Sequence, residues 1–239
     1  MLIDCGKTFY PTALRWFPKY KIRRIDALVI THAHADAYFG LDDLRAWTLG
    51  GFIQDHIDVY CTETTLKAIS STFPYLVNKN LATGGGDVSE LRFKVFDENK
   101  PFNIASCDDV EVIPLPVEHG SYFTPNGKIP FWNLGFRVGS ASYISDCSII
   151  PDKTSKLVKG SDVLVIDGLK MTPHASHFSI EEAREYARDA LGGRQPKQTW
   201  ITGFSHAIEH ETCTRECAAW SEKNGLFVRP AYDGLRIAL

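Results

Sequence analysis

The first clear apolar run, residues 25–31, predicts a buried strand. Polar positions follow, and then residues 40–48, where Leu41, Leu44, Ala46 and Trp47 have the spacing of a short helix. Residues 57–61 predict a strand, and residues 63–72 a helix ended by Pro74. Residues 110–117 are strand-like but contain Pro114 and Pro116, which predicts an edge strand or one that leaves its sheet early. Residues 134–138 and 141–145 flank Gly139-Ser140, a two-residue hairpin turn. Residues 163–167 are a further buried strand. Ser179-Ile180-Glu181-Glu182 is a capping box that opens a helix, and Gly192-Gly193 stops it. Residues 199–202 predict a strand, residues 211–223 a helix, and Asp233-Gly234 the turn of a closing hairpin. Strands alternating with helices in this way predict an α/β fold.

Against that pattern, metal-ligating residue types recur just past the ends of strands. The run Thr31-His32-Ala33-His34-Ala35-Asp36 directly follows Ala27-Leu28-Val29-Ile30. An extended continuation of the strand sends residues 32, 34 and 36 to one face. Two imidazoles and a carboxylate on one face suit zinc, manganese or iron, while three solvated polar residues in a loop are the alternative. His119, Asp146 and His206 fall after later strands, where α/β folds place chemistry. Taken singly, His119 or His206 also reads as an ordinary surface or capped histidine.

Composition narrows the classes. The chain has 239 residues, 44% hydrophobic and 23% charged, enough for one large domain spanning residues 1–239. A net charge of −3 gives no global basic field for nucleic acid. The dense basic stretch Lys19, Lys21, Arg23, Arg24 reads as a solvated face. Six scattered cysteines without a Cys-x-x-Cys pair argue against a zinc ribbon and a disulfide framework, so reduced thiols in the cytoplasm are expected. No apolar run has the length of a membrane span, and the start, Met-Leu-Ile-Asp-Cys-Gly-Lys, lacks a signal-peptide core. Gly84-Gly85-Gly86 reads as a flexible loop without the Gly-Lys-Ser/Thr ending of a phosphate loop.

The His-x-His-x-Asp run, with Leu2-Ile3-Asp4-Cys5-Gly6 before it and Gly40-Leu41-Asp42-Asp43-Leu44-Arg45 after it, resembles the metallo-β-lactamase superfamily. The branch it looks like holds the phosphonate-pathway cyclic phosphodiesterases and is related to the tRNA 3′-processing nucleases. Val117-Glu118-His119-Gly120, Tyr143-Ile144-Ser145-Asp146, the stretch from His174 through His177 to Ala183, and Ala231-Tyr232-Asp233-Gly234-Leu235 follow in the expected order. The resemblance implies an αββα sandwich of two mixed sheets flanked by helices. It also implies hydrolysis, often of phosphodiesters, by a metal-activated water. By matching position, His32, His34 and His119 would hold a first metal, and Asp146 would bridge or complete that site. Asp36 would serve a second metal or orient the attacking water, and His177 would give a proton to the leaving group. The alternative for His177 is a neighbour of the Ser179 helix cap.

Three departures shape the expectation. The family has a histidine where this chain has Ala37, and another where Thr202-Gly203-Phe204-Ser205-His206 has Gly203. Both belong to the second metal, so one zinc or manganese ion is expected, with a second only if His206 swings in. Relatives also carry strands ahead of Leu2-Ile3-Asp4-Cys5-Gly6; lost edge strands or a truncated chain would account for this start, and an exposed sheet edge would call for cover by a second subunit. The chain lacks the long basic glycine-rich insertion with which tRNA-processing relatives clamp RNA, so nucleic acid is not expected as a partner, nor is a membrane. The expected substrate is a small phosphodiester. A binding or regulatory protein with an impaired site, and a hydrolase of another ester or thioester, are the competing readings.

Overall fold

The computed structural model describes residues 1–83, 87–189 and 193–239. The chain forms two compact units, Met1–Val110 and Glu111–Leu239.

The first unit contains β1 (Leu2–Ile3), α1 (Phe9–Tyr20), β2 (Ala27–Val29), α2 (Ala35–Tyr38), α3 (Arg45–Thr48), β3 (Ile57–Cys61), α4 (Glu63–Thr72), α5 (Pro74–Val77), β4 (Leu91–Val95) and β5 (Phe102–Ile104). Its sheet has the order β1-β2-β3-β4, with every pair parallel rather than the mixed arrangement expected. Parallel pairing follows from the crossovers, since each of these strands is followed by helix before the next one. The strands β2 and β3 are buried along their whole length: β2 is an unbroken apolar run, and the one charged residue of β3, Asp58, is paired with Lys94 at 2.7 Å. Leu28, Ile30, Leu41, Leu44, Ile57 and Ile69 are fully buried in this unit's core. The helix expected over residues 40–48 is a 3₁₀ turn, Asp42–Leu44, continued by α3. Pro74 ends α4 as expected but also opens α5, where its missing N–H costs nothing. The basic residues Lys19, Lys21, Arg23 and Arg24 are exposed, and Lys19 lies over the Trp16 ring.

The second unit contains β6 (Val110–Thr124), β7 (Gly127–Val138), β8 (Ala141–Ile144), α6 (Asp152–Val158), β9 (Val163–Asp167), α7 (Ile180–Asp189), β10 (Gln198–Thr202), α8 (His210–Asn224) and β11 (Val228–Pro230). Within this unit the strand order is β11-β10-β9-β8-β7-β6. Here the sheet is mixed: β6-β7 and β7-β8 are antiparallel hairpins, and β8 to β11 pair in parallel. Leu115, Ile144, Leu164, Ile166 and Ile201 pack beneath α7 and α8. The capping box forms as written: the Glu182 carboxylate accepts from the Ser179 N–H at 2.7 Å, and Ser179 Oγ accepts from the Glu182 N–H at 3.2 Å, a cap of about 1 kcal/mol. The end of that helix at Gly192 and the loop Gly84–Gly86 lie outside the described residues.

Two expectations are corrected in this unit. The strand β6 does not leave early at its prolines but runs to Thr124, paired with β7. Pro114 and Pro116 are two residues apart, so both missing donors lie on one side of the strand and the other side keeps its ladder. The closing hairpin does not form: among the described residues no strand follows β11, and Asp233-Gly234 is a turn only. The described cysteines are all free, and no described helix is long and apolar enough to cross a membrane. The chain therefore has the expected α/β fold of two sheets with flanking helices.

Candidate metal centre

In the first unit, β2 leads into Thr31, whose N–H and hydroxyl both donate to the Asp4 carboxylate at 2.8 Å. The same hydroxyl oxygen lies 2.8 Å from His32 Nδ1. With its own proton committed to Asp4, Thr31 Oγ1 accepts from His32 Nδ1–H, which makes Nε2 the basic nitrogen of this buried ring. A carboxylate–hydroxyl–imidazole relay of this kind fixes the tautomer of a ligating histidine. Thr31→Val keeps the shape and removes the relay. It is expected to weaken zinc binding about 10- to 100-fold and to lower stability by about 1–3 kcal/mol through the buried groups left unpaired, as measured by metal titration beside a thermal melt.

The extended alternation expected through residue 36 stops at His34. That residue is the N-cap of α2, and its carbonyl accepts from the N–H groups of Ala37 and Tyr38, so Asp36 is helical. His32 and His34 nevertheless meet, with ring centroids 4.6 Å apart. His34 and Asp36 are exposed.

In the second unit, the register of β6 and β7 shifts between Glu118 and Ser121, so that His119 and Gly120 together face Phe131. Such a bulge re-aims the side chain it carries. Gly120 has φ +74°, and a Cβ there would lie 2.8 Å from the Ser176 Cβ, so the bulge needs glycine for conformation and for space. His119 Nδ1 donates to the Ser176 carbonyl at 2.7 Å, which presents Nε2 as the basic nitrogen. Asp146 follows β8 in a loop pinned by the Asn133 amide, which donates to the Asp146 carbonyl at 2.7 Å.

His177 Nδ1 lies 3.0 Å from Asp167 Oδ2 and 3.6 Å from Asp146 Oδ1. Asp167 ends the apolar strand β9 and is completely buried. The N–H groups of Cys147 and Phe178 also donate to its Oδ2, at 3.0 and 3.2 Å. That oxygen is therefore an acceptor of converging donors, and His177 Nδ1 carries the proton between them. Burial pushes the Asp167 carboxyl up to about 6, against the lowering effect of these donors.

His119, Asp146 and His177 thus converge: one ligand atom from each lies within 4.8 Å of the others. The His119 and His177 rings are 4.7 Å apart, centroid to centroid. Two imidazoles and a carboxylate, mostly buried and braced from behind, fit a divalent cation such as zinc or manganese. His206 does not join them; it is exposed on the loop after β10.

Asp167 was not singled out in the sequence. It is the last residue of β9 and not one just past a strand end, so the rule of placement passes over it.

The two departures from the family pattern are built into the packing. Ala37 is 1% exposed within the first unit's core. Gly203 has φ +80°, and a Cβ there would lie 2.8 Å from Asp167 Oδ1. Ala37→His overfills a core, and Gly203→His forces a side chain onto strained backbone beside a buried carboxylate. Each is expected to lower stability by about 1–3 kcal/mol and to add no second metal, as read by denaturant unfolding and metal stoichiometry.

The model of the beta-lactamase superfamily domain matches residues 1–198. A protein of Porphyromonas gingivalis named octanoyltransferase is 30% identical over 215 residues, which cover 88% of this chain but 38% of that protein. The chain thus spans under two fifths of that relative's length. Among solved structures, a diphosphatase of the PhnP family superposes with a TM-score of 0.75 at 27% identity, covering 99% of this chain and 79% of the other. Zinc-bound PqqB from Methylobacterium extorquens shares the fold at 15% identity, with a TM-score of 0.73 over 99% of this chain and 82% of its own.

Proposed function

This chain belongs to the beta-lactamase superfamily and has the fold of its metal-dependent hydrolases, and from that premise we propose that it hydrolyses small phosphodiesters. The observation that carries the proposal is the convergence of His119, Asp146 and His177 with Asp167 hydrogen-bonded behind His177. Similarity to a PhnP-family diphosphatase supports a phosphoryl substrate. The proposed ligand set is the one that the family pattern implies: His32, His34 and His119, with Asp146. Zinc or manganese held by these residues would act as a Lewis acid toward the phosphoryl oxygens and acidify water near neutral pH.

The chain's own residues supply the rest. Asp36 accepts a hydrogen bond from the attacking water and orients it. His177, protonated on Nε2, gives that proton to the departing alkoxide oxygen. Asp167 holds the ring by Nδ1–H and stabilises the imidazolium while the proton waits. Thr31 and Ser176 fix the tautomers of His32 and His119.

The test is turnover of bis(p-nitrophenyl) phosphate by protein loaded with zinc or manganese. Metal-dependent release of nitrophenol supports the proposal; tight metal binding with no release under either ion counts against it. A second reading, hydrolysis of an acyl ester or thioester, is favoured by the 30% identity to a protein named octanoyltransferase. Faster turnover of an octanoyl thioester than of any phosphodiester would select that reading.

A further inference from the structure

Beyond the bulge at His119, the β6-β7 hairpin continues as a two-stranded arm, Ser121 to Thr124 against Gly127 to Pro130. Its sequence is unusually apolar for an exposed ribbon. Tyr122 is 56% exposed, Ile129 54% and Phe123 83%. Exposed apolar surface gathered in one place marks a binding surface more often than chance placement does.

The register shows how this surface is arranged. Tyr122 pairs with Ile129, so their side chains share one face of the arm, and Phe131, two residues beyond Ile129, lies on that face too. Phe123 and Lys128 pair on the opposite face, with the Lys128 ammonium over the Phe123 ring. Phe131 meets Tyr122 edge to face at 5.2 Å and the His119 ring at 5.7 Å. The result is an apolar strip, Ile129–Tyr122–Phe131, that ends on a histidine of the candidate metal centre.

The geometry points to this strip as a subsite for a flat aromatic ring of the substrate, specifically the base of a nucleoside phosphate ester. The inference rests on the phosphodiester reading of the adjoining cluster and deepens it. Continuity with His119 places the occupant of the strip on the same molecule as the scissile phosphate. The open shape selects a ring over an alkyl chain. A planar ring gains its stacking from one covered face, whereas an acyl chain on so exposed a strip stays half in water. Tyr122 is the specificity-determining residue, since it is the large exposed ring on the strip.

The test measures binding by calorimetry on the zinc-loaded protein, with adenosine 5′-monophosphate and ribose 5-phosphate as probes that differ by the base. The expected result is adenosine monophosphate binding about tenfold or more tightly than ribose phosphate. Tyr122→Ala should erase that preference and leave ribose phosphate affinity unchanged, and Tyr122→Trp should retain it. Equal affinity for the two probes, no binding of adenosine monophosphate, or an equal loss for both probes in Tyr122→Ala overturns the inference. So does a dimer in sedimentation that Tyr122→Ala dissociates, because the strip would then be covered by a second copy. Base-selective binding without turnover of any phosphodiester would leave the subsite standing and defeat the hydrolytic reading alone.

Discussion

His119→Ala is expected to empty the metal centre and bring hydrolysis down to the metal-free background. Several constraints place His119. The bulge turns it out of the β6-β7 ladder, Gly120 adopts the positive φ that the bulge needs, and the Ser176 carbonyl holds Nδ1. Phe131 and His177 pack against the ring. Such bracing keeps Nε2 aimed before any ion arrives, so ligand reorganisation adds little to the cost of binding. Losing an outer hydrogen-bond partner of a ligand costs about 10- to 100-fold in metal affinity, and losing the ligand itself should exceed that. Elemental analysis after desalting, beside turnover of an aryl phosphodiester, reads both effects. Circular dichroism separates them from unfolding. Full metal content in a folded His119→Ala protein would remove this residue from the ligand set.

His177→Ala is expected to give the opposite split: metal retained, turnover reduced about 10²- to 10⁴-fold. His177 lies within ligand distance of His119 and Asp146, so geometry alone permits it to bind metal. The Asp167 carboxylate behind it is what favours a proton-carrying role. Holding Nδ1–H at 3.0 Å, it commits that nitrogen as a donor and leaves Nε2 as the atom that faces the reaction. The loss should therefore depend on the leaving group. A p-nitrophenolate departs without help, and an alkoxide does not, so the deficit should be greater for an alkyl phosphodiester than for an aryl one. An equal deficit for both substrates would remove the proton-donor role, and metal lost together with activity would make His177 a ligand. Asp167→Asn offers a finer probe, since an amide can hold the ring yet cannot stabilise its charge.

Much of this was legible because it rests on local rules. The capping box at Ser179, the hairpin at Gly139-Ser140 and the strand runs 57–61 and 163–167 are specified by neighbours in sequence. The parts that were missed depend on distant partners or on two local signals in conflict. The helix α1, for which no expectation was stated, contains Pro11 and Pro18. Pro11 lies in the first turn, where its missing N–H is tolerated, and Pro18 close to the end. The strand β6 carries two prolines, and their shared side became clear only with its partner β7 in place.

The site divides in the same way. His32, His34, His119 and Asp146 announce themselves by residue type and position after strands. Asp167 looked like the last residue of a buried strand, and its importance comes from Cys147, His177 and Phe178 folding back onto it. Ala37 and Gly203 point in the sequence to a site with one metal, with an impaired site as the competing reading. The structure shows positions where a histidine would have no room or an unsuitable backbone. Restoring a histidine at either position would therefore cost packing or backbone strain.

The whole proposal depends on the chain gripping a divalent ion. Titration of metal-free protein with zinc, followed by calorimetry, tests this most directly. Saturation at a single ion per chain, abolished by His34→Ala and by His119→Ala but kept in His177→Ala, is the predicted result. A chain that takes up no zinc or manganese with saturation, or binds it equally well without His34 and His119, would contradict it.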